Sequence, residues 1–288
     1  MTWEFMALDL RFRHFITASL LCSWWCSHAS ATPTDGSSSV DYPRYQVVSE
    51  ATVRPRARNP VQLRHSWQTN PNIKGVENLR GGYVIVLCGV LGKTEYNAEL
   101  VRQLKGAGYG VELYDWTSGV PLPFRRGLTT NRFSQQTTRR LRRRIEDYQL
   151  LYPDAPVYLI GLCAGAGPVC EVLRHLEPDQ RVTRAVLLGA ALSPIYDLRP
   201  ALRGTEEGID SFHSPLDVPI LVGLTTLVGT VDGQHLPAAG AIGFGDTPNL
   251  RQHRYGPTML RQGHWGGHFG WTARDFVQKS IFPLLKVR

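Results

Sequence analysis

Cysteine is scarce in this 288-residue chain, with five residues at positions 22, 26, 88, 163 and 170. Cys22 lies within, and Cys26 directly after, an apolar run, Phe15 to Trp25, that is too short for a comfortable membrane-spanning helix. No zinc-finger spacing and no aromatic RNA-binding motif occurs, so nucleic acid is not an expected partner. No dinucleotide fingerprint follows the first strong strand, so no cofactor is implied. No internal repeat stands out. These absences leave one large α/β domain, with 42% hydrophobic residues to build its core.

The N-terminus has the parts of an export signal over 1–31. Arg11 and Arg13 precede the apolar run, and Ala29-Ser30-Ala31 offers a small-x-small cleavage site. The expectation is a periplasmic or secreted protein; an uncleaved membrane anchor is the alternative. Cleavage leaves Cys88, Cys163 and Cys170, an odd number that excludes a simple disulfide framework. Cys163 and Cys170 on one helix stand about 10 Å apart, beyond disulfide reach.

The net charge is +8, with much of the excess in Arg139, Arg140, Arg142, Arg143 and Arg144. The functional reading of this cluster is weak association with anionic surfaces. The bland reading is a solvated helix face, since Leu141, Ile145, Tyr148 and Leu151 recur at helical spacing and face inward.

Residues 32–78 are rich in Pro, Ser, Thr and Arg and read as an N-terminal arm, with a strand signal at Tyr45-Gln46-Val47-Val48. The regular pattern occupies 79–288. Strand signals fall at Tyr83 to Leu87, Val111 to Trp116, Val157 to Ile160, Arg184 to Ala190, Val218 to Leu224 and Leu250 to Tyr255. Helical patterns separate them: Thr94 to Lys105, about 130–151, Pro168 to Leu176 and about 271–285. Alternation of this kind implies βαβ units and a mostly parallel sheet with helices on both faces, functional groups gathering at the carboxyl ends of the strands.

One of those ends carries Gly161-Leu162-Cys163-Ala164-Gly165 between a strand and a helix, the spacing and context of a nucleophile elbow. The elbow, the turn Cys88-Gly89-Val90-Leu91-Gly92 and the segment His264-Trp265-Gly266-Gly267-His268-Phe269-Gly270 together resemble the α/β-hydrolase fold over roughly residues 80–286. The Gly-x-Cys-x-Gly form is similar to that of dienelactone hydrolase-like members, which use Cys, Asp and His in that chain order. Ala166 stands where that branch continues with glycine, and its substrate does not carry over.

The resemblance implies roles. Cys163 at the start of a helix is the expected nucleophile, because the dipole and free N–H groups favour a thiolate there. The alternative is a small buried cysteine that merely fits the turn. His268, flanked by glycines before the last helix, is the expected base, with His264 as alternate; His213 reads as structural. The acid is expected beyond the strand two past the elbow. With that strand at Val218 to Leu224, Asp232 suits the role; Asp217 is the alternate, and either also reads as a turn or cap residue. Oxyanion donors are expected from Ala164 and from Gly89 or Val90. Cys88 and Cys163 end strands that this topology places about 4.8 Å apart, so an oxidising compartment could pair them. His264 and His268 lack a third ligand, so no metal is expected.

Three readings follow. The first is an exported enzyme hydrolysing an ester, thioester or lactone through a Cys-His-Asp triad on a small-molecule acyl substrate. The second is a catalytically inactive exported binding module on the same fold. The third is a redox-sensing thiol with Cys88 as resolving partner. A histidine at the expected place favours the first; substrate identity and oligomeric state stay open.

Overall fold

A computed structural model of the chain describes residues 82–117 and 131–285, without the side chains of 131–134. Every described residue belongs to one compact unit of the chain. The expected export signal, the N-terminal arm with its strand at 45–48 and the boundary at 79 lie outside the described residues.

Six parallel strands form one sheet in the order β2-β1-β3-β4-β5-β6. They are β1 (Tyr83–Leu87), β2 (Gly110–Tyr114), β3 (Val157–Leu162), β4 (Arg184–Leu188), β5 (Ile209–His213) and β6 (Leu250–Arg254). β1 and β3 are apolar throughout and buried on both faces, as strands covered by helices on each side must be.

Three helices carry the main crossovers: α1 (Glu95–Gly106), α2 (Asn131–Leu151) and α3 (Ala166–Arg174). Thr94 caps α1 by accepting the Asn97 N–H at 3.4 Å, and the Asn97 amide returns to the Gly92 carbonyl at 2.7 Å. Side chains from α2 and α3 join alternate residues of the central strands in one core: Tyr83, Ile85, Leu159, Leu187, Leu141, Ile145, Val169 and Leu173. The opposite face packs Val84, Val86, Ile160 and Val186 against Leu100 and Leu104 of α1 and against Trp271, Phe276 and Ile281 near the C-terminus.

The arginine-rich stretch belongs to α2. Leu141, Ile145 and Tyr148 are fully buried, as the helical spacing predicts. Arg144 turns inward to pair with the buried Glu112 at 2.7 Å, and Arg142 reaches Glu177 at 3.3 Å. Part of the cluster therefore bonds the helix to its surroundings.

The sequence pattern misplaces one strand. Val218–Leu224 is a wide helical turn of the π type, and only Leu221 among its residues is buried. The fifth strand is Ile209–His213, whose Asp210 and Ser211 disguise it as a polar connection. That strand is buried because its charge is paired. Asp210 meets Arg184 at 2.6 Å, Arg251 at 2.6 Å and His253 at 2.7 Å, and these partners hold its carboxyl well below the usual range against the opposing effect of burial.

Candidate active site

Gly161 and Gly165 are needed because the chain folds back on itself around Cys163. A Cβ at Gly161 would stand 2.8 Å from the Ala166 Cα, and one at Gly165 would stand 2.4 Å from the Leu87 carbonyl oxygen. Between them Cys163 takes φ +53°, a left-handed conformation that costs a side-chain-bearing residue energy and is held by its surroundings. The Cys163 carbonyl accepts the Ala191 N–H at 3.1 Å, which ties the turn to the end of β4. Strand, strained apex and helix make this a nucleophile elbow at the carboxyl edge of the sheet.

The structure brings His268 to this apex. Its Nδ1 meets Asp217 Oδ2 at 2.6 Å. Burial by itself lowers the pKa of His268. The Cys163 sulfur and the Asp217 carboxylate beside the ring outweigh burial, and the value reaches about 10. The charged imidazolium is thus the form that these two neighbours favour.

Asp217 follows β5, which is the strand two past the elbow once β5 is correctly placed. The carboxylate is almost completely buried, and its Oδ1 has no partner among the described residues. Cysteine after β3, aspartate after β5 and histidine after β6 thus converge at one edge of a parallel sheet.

The chain has the α/β-hydrolase fold.

No protein-family model matches it, and no curated protein matches it. Among solved structures it is similar to a dienelactone hydrolase-like promiscuous phosphotriesterase from metagenomic libraries, at 15% identity and TM-score 0.40 over 70% of this chain and 84% of that one. It is also similar to a bromoperoxidase from Bacillus anthracis, at 15% identity and TM-score 0.40 over 72% and 92% of the two chains. The thioesterase domain that cyclises the lipopeptide surfactin gives 16% identity and TM-score 0.40 over 72% and 92%. Likenesses of this extent assign neither reaction nor substrate.

The turn expected to supply the second oxyanion donor lies beside Cys163. A Cβ at Gly89 would stand 3.3 Å from the Cys163 Cβ, so the turn after β1 abuts the nucleophile position. That turn closes through Gly92 N–H to the Gly89 carbonyl at 3.0 Å, and the N–H groups of Gly89 and Val90 donate to no other described backbone group. Ala164 opens the helical turn Cys163–Gly165, where an N–H has no helical acceptor.

Two of the expected residues lie elsewhere. Asp232 is not the partner of His268: its carboxylate accepts from the Ser193 N–H at 2.8 Å and from the Ser193 hydroxyl at 2.5 Å, fastening the 225–244 segment to the end of β4. Nearby, Val231 packs over Gly167 of α3. His264 is fully buried among Tyr255, Trp271 and Phe276, and burial lowers its pKa to about 4. Its Nδ1 accepts the Gly266 N–H at 2.9 Å, so it shapes the loop that presents His268.

His213 ends β5 and is not in the connection before a strand; burial, with Arg254 and His253 nearby, lowers its pKa. Cys88, Cys163 and Cys170 are all free and buried, so Cys88 and Cys163 are not joined. Burial pushes the Cys88 thiol up to about 12, with the Asp115 carboxylate adding to it. Trp116 is buried and donates its Nε1–H to the Cys88 carbonyl at 2.6 Å.

Sequence reasoning missed Tyr96. From the first turn of α1 its hydroxyl donates to the His268 carbonyl at 2.9 Å, bracing the histidine loop across 172 residues. It reads in the sequence as one more partly apolar helix residue. Ser214 was missed too; its hydroxyl donates to the Gly266 carbonyl at 2.5 Å and joins the loop of Asp217 to the loop of His268.

Proposed function

We propose that this chain is an exported thiol hydrolase that cleaves an ester, thioester or lactone through Cys163, His268 and Asp217. The observation that carries the reading is the Asp217–His268 pair at 2.6 Å, with Cys163 as the neighbour of that imidazole and the elbow's strain concentrated at Cys163. Export rests on the charged and apolar pattern of residues 1–31.

In this reading the Cys163 thiolate attacks the acyl carbonyl and forms the S–C bond. The carbonyl oxygen becomes an oxyanion, held by the Ala164 N–H and by that of Gly89 or Val90. His268 gives its Nε2 proton to the departing alkoxide or thiolate as the old acyl bond breaks. Water then adds to the acyl-cysteine while the now neutral His268 takes its proton. Collapse expels the Cys163 thiolate, releases the acid and restores the ion pair. Asp217 holds the ring by Nδ1 so that Nε2 faces the sulfur, and it stabilises the imidazolium.

The sulfur limits the substrate. A thiolate leaves a tetrahedral intermediate more readily than an ordinary alkoxide does, so unactivated alkyl esters return to starting material. Thioesters, aryl esters and strained lactones carry leaving groups good enough to go forward. The test is incubation with p-nitrophenyl esters and acyl thioesters, followed by peptide mass spectrometry. The expected result is an acyl adduct on the Cys163 peptide and turnover abolished by Cys163→Ala. Absence of any adduct, or turnover that survives Cys163→Ala, contradicts the proposal and favours the binding module.

A further inference from the structure

The loops that carry Asp217 and His268 also hold large apolar side chains out in water. Trp265 is 80% exposed, Leu216 55% and Phe269 53%. Each sits within four residues of His268 or next to Asp217 in sequence. Folding alone gives no reason to leave them uncovered, since removing such area from water is favourable.

Leu216 and Phe269 flank the loop that carries His268, and Trp265 adjoins Gly266 in sequence. Leu216 packs at Gly266, where an added Cβ would stand 2.6 Å from Leu216 Cδ1. Ser214 and Gly266 join the two loops by hydrogen bond, as Asp217 and His268 do. The Phe269 ring lies edge-on to Tyr96 at 5.4 Å and to His268 at 5.8 Å. Tyr96 packs beside them, its hydroxyl donating to the His268 carbonyl at 2.9 Å and its ring meeting Phe269. None of Leu216, Trp265 and Phe269 carries a charge that could recognise an ionic group.

Resting on the reading of Cys163 as nucleophile, we infer that Phe269, Trp265 and Leu216, over Tyr96, form an apolar clamp that binds an uncharged alkyl or ring portion of the substrate beside the scissile carbonyl. The area these loops leave in water is then covered by substrate. Charged acyl groups are excluded at this wall because nothing there replaces their hydration.

The test separates the clamp from the chemistry by alkylating Cys163 in the full chain with iodoacetamide and with N-hexyl iodoacetamide. In both reactions the sulfur forms an S–C bond and iodide leaves, and peptide mapping identifies Cys163. The expected result is a hexyl-to-parent rate ratio about tenfold above that of glutathione, equivalent to burying about two methylenes. Phe269→Ser is expected to return the ratio to that of glutathione, and the ratio divides out any change in the reactivity of the thiol itself. Trp265→Ser, at a more exposed side chain that touches neither His268 nor Tyr96 by ring contact, is expected to lower the ratio in part. A reactive Cys163 with the glutathione ratio overturns the clamp and leaves the nucleophile standing. A Cys163 that reacts with neither reagent overturns both.

Discussion

Asp217 and His268 lie 51 residues apart and meet at 2.6 Å, Oδ2 to Nδ1, at the carboxyl edge of the sheet. The contact depends on β5, which delivers Asp217, and on the glycine-rich loop after β6, which Ser214 and Tyr96 hold by their hydroxyls. Neither residue is free to turn elsewhere: Asp217 is almost fully buried, and His268 is held by Asp217 at Nδ1 and by Tyr96 at its carbonyl.

The two aspartates are therefore expected to behave differently. Asp217→Asn removes the charge opposite the imidazolium and is predicted to lower kcat by about 10²- to 10⁴-fold with little loss of fold. Asp232→Ala removes both bonds to Ser193 while leaving the Asp217–His268 pair in place, and is predicted to cost about 1–3 kcal/mol of stability, with the thiol chemistry retained. Steady-state kinetics beside thermal melts decide the point. Equal losses of turnover in both variants would contradict the assignment.

Gly165→Ala pushes a methyl into the Leu87 carbonyl of the neighbouring strand, at 2.4 Å. The expected outcome is a destabilisation of at least ~1–3 kcal/mol, the scale of an overfilled core. Gly233→Ala meets no atom within 4 Å but forces alanine to φ +82°, so it is expected to show conformational strain without a clash. Denaturant unfolding of the two variants, with Gly165→Ala the weaker, checks the tightness of the elbow.

His264 makes a pH prediction. In the unfolded chain it binds its proton near 6.5, but in the fold only near 4, mainly because burial disfavours the charged ring. Between those values the unfolded state holds more protons, so stability rises with pH. Acidification from pH 6.5 to 4 should therefore lower Tm more in the wild type than in His264→Gln, which cannot gain that charge. Parallel Tm curves would show that His264 titrates normally.

Cys88 and Cys163 should both carry free thiols after aerobic purification, as each is free and buried in the fold. Intact-mass and peptide analysis reads this directly. A peptide pair joined through the two sulfurs would contradict the structure and revive the redox reading.

The α/β alternation and the elbow were legible because they depend on strong local signals: apolar runs at Tyr83 to Leu87 and Val157 to Ile160, and glycines two residues either side of Cys163. The acid was not. The rule that it follows the strand two past the elbow is met by Asp217, yet hydrophobicity chose the wrong strand. Val218–Leu224 is apolar but helical and largely solvent-facing, while Ile209–His213 is polar in part but buried. What inverts the pattern is the pairing of Asp210 with Arg184, Arg251 and His253, partners from three positions that a linear reading does not connect. Tyr96 escaped for a related reason, since a brace across 172 residues leaves no local trace.

The central claim is an activated thiolate at Cys163 paired with His268, and the rate of Cys163 alkylation by iodoacetamide against pH tests it most directly. In the wild type under reducing conditions Cys163 should react faster than glutathione below neutral pH. In His268→Ala that advantage should be lost, because the imidazole beside the sulfur is gone. A slow, ordinary thiol whose profile is the same with and without His268 would contradict the account.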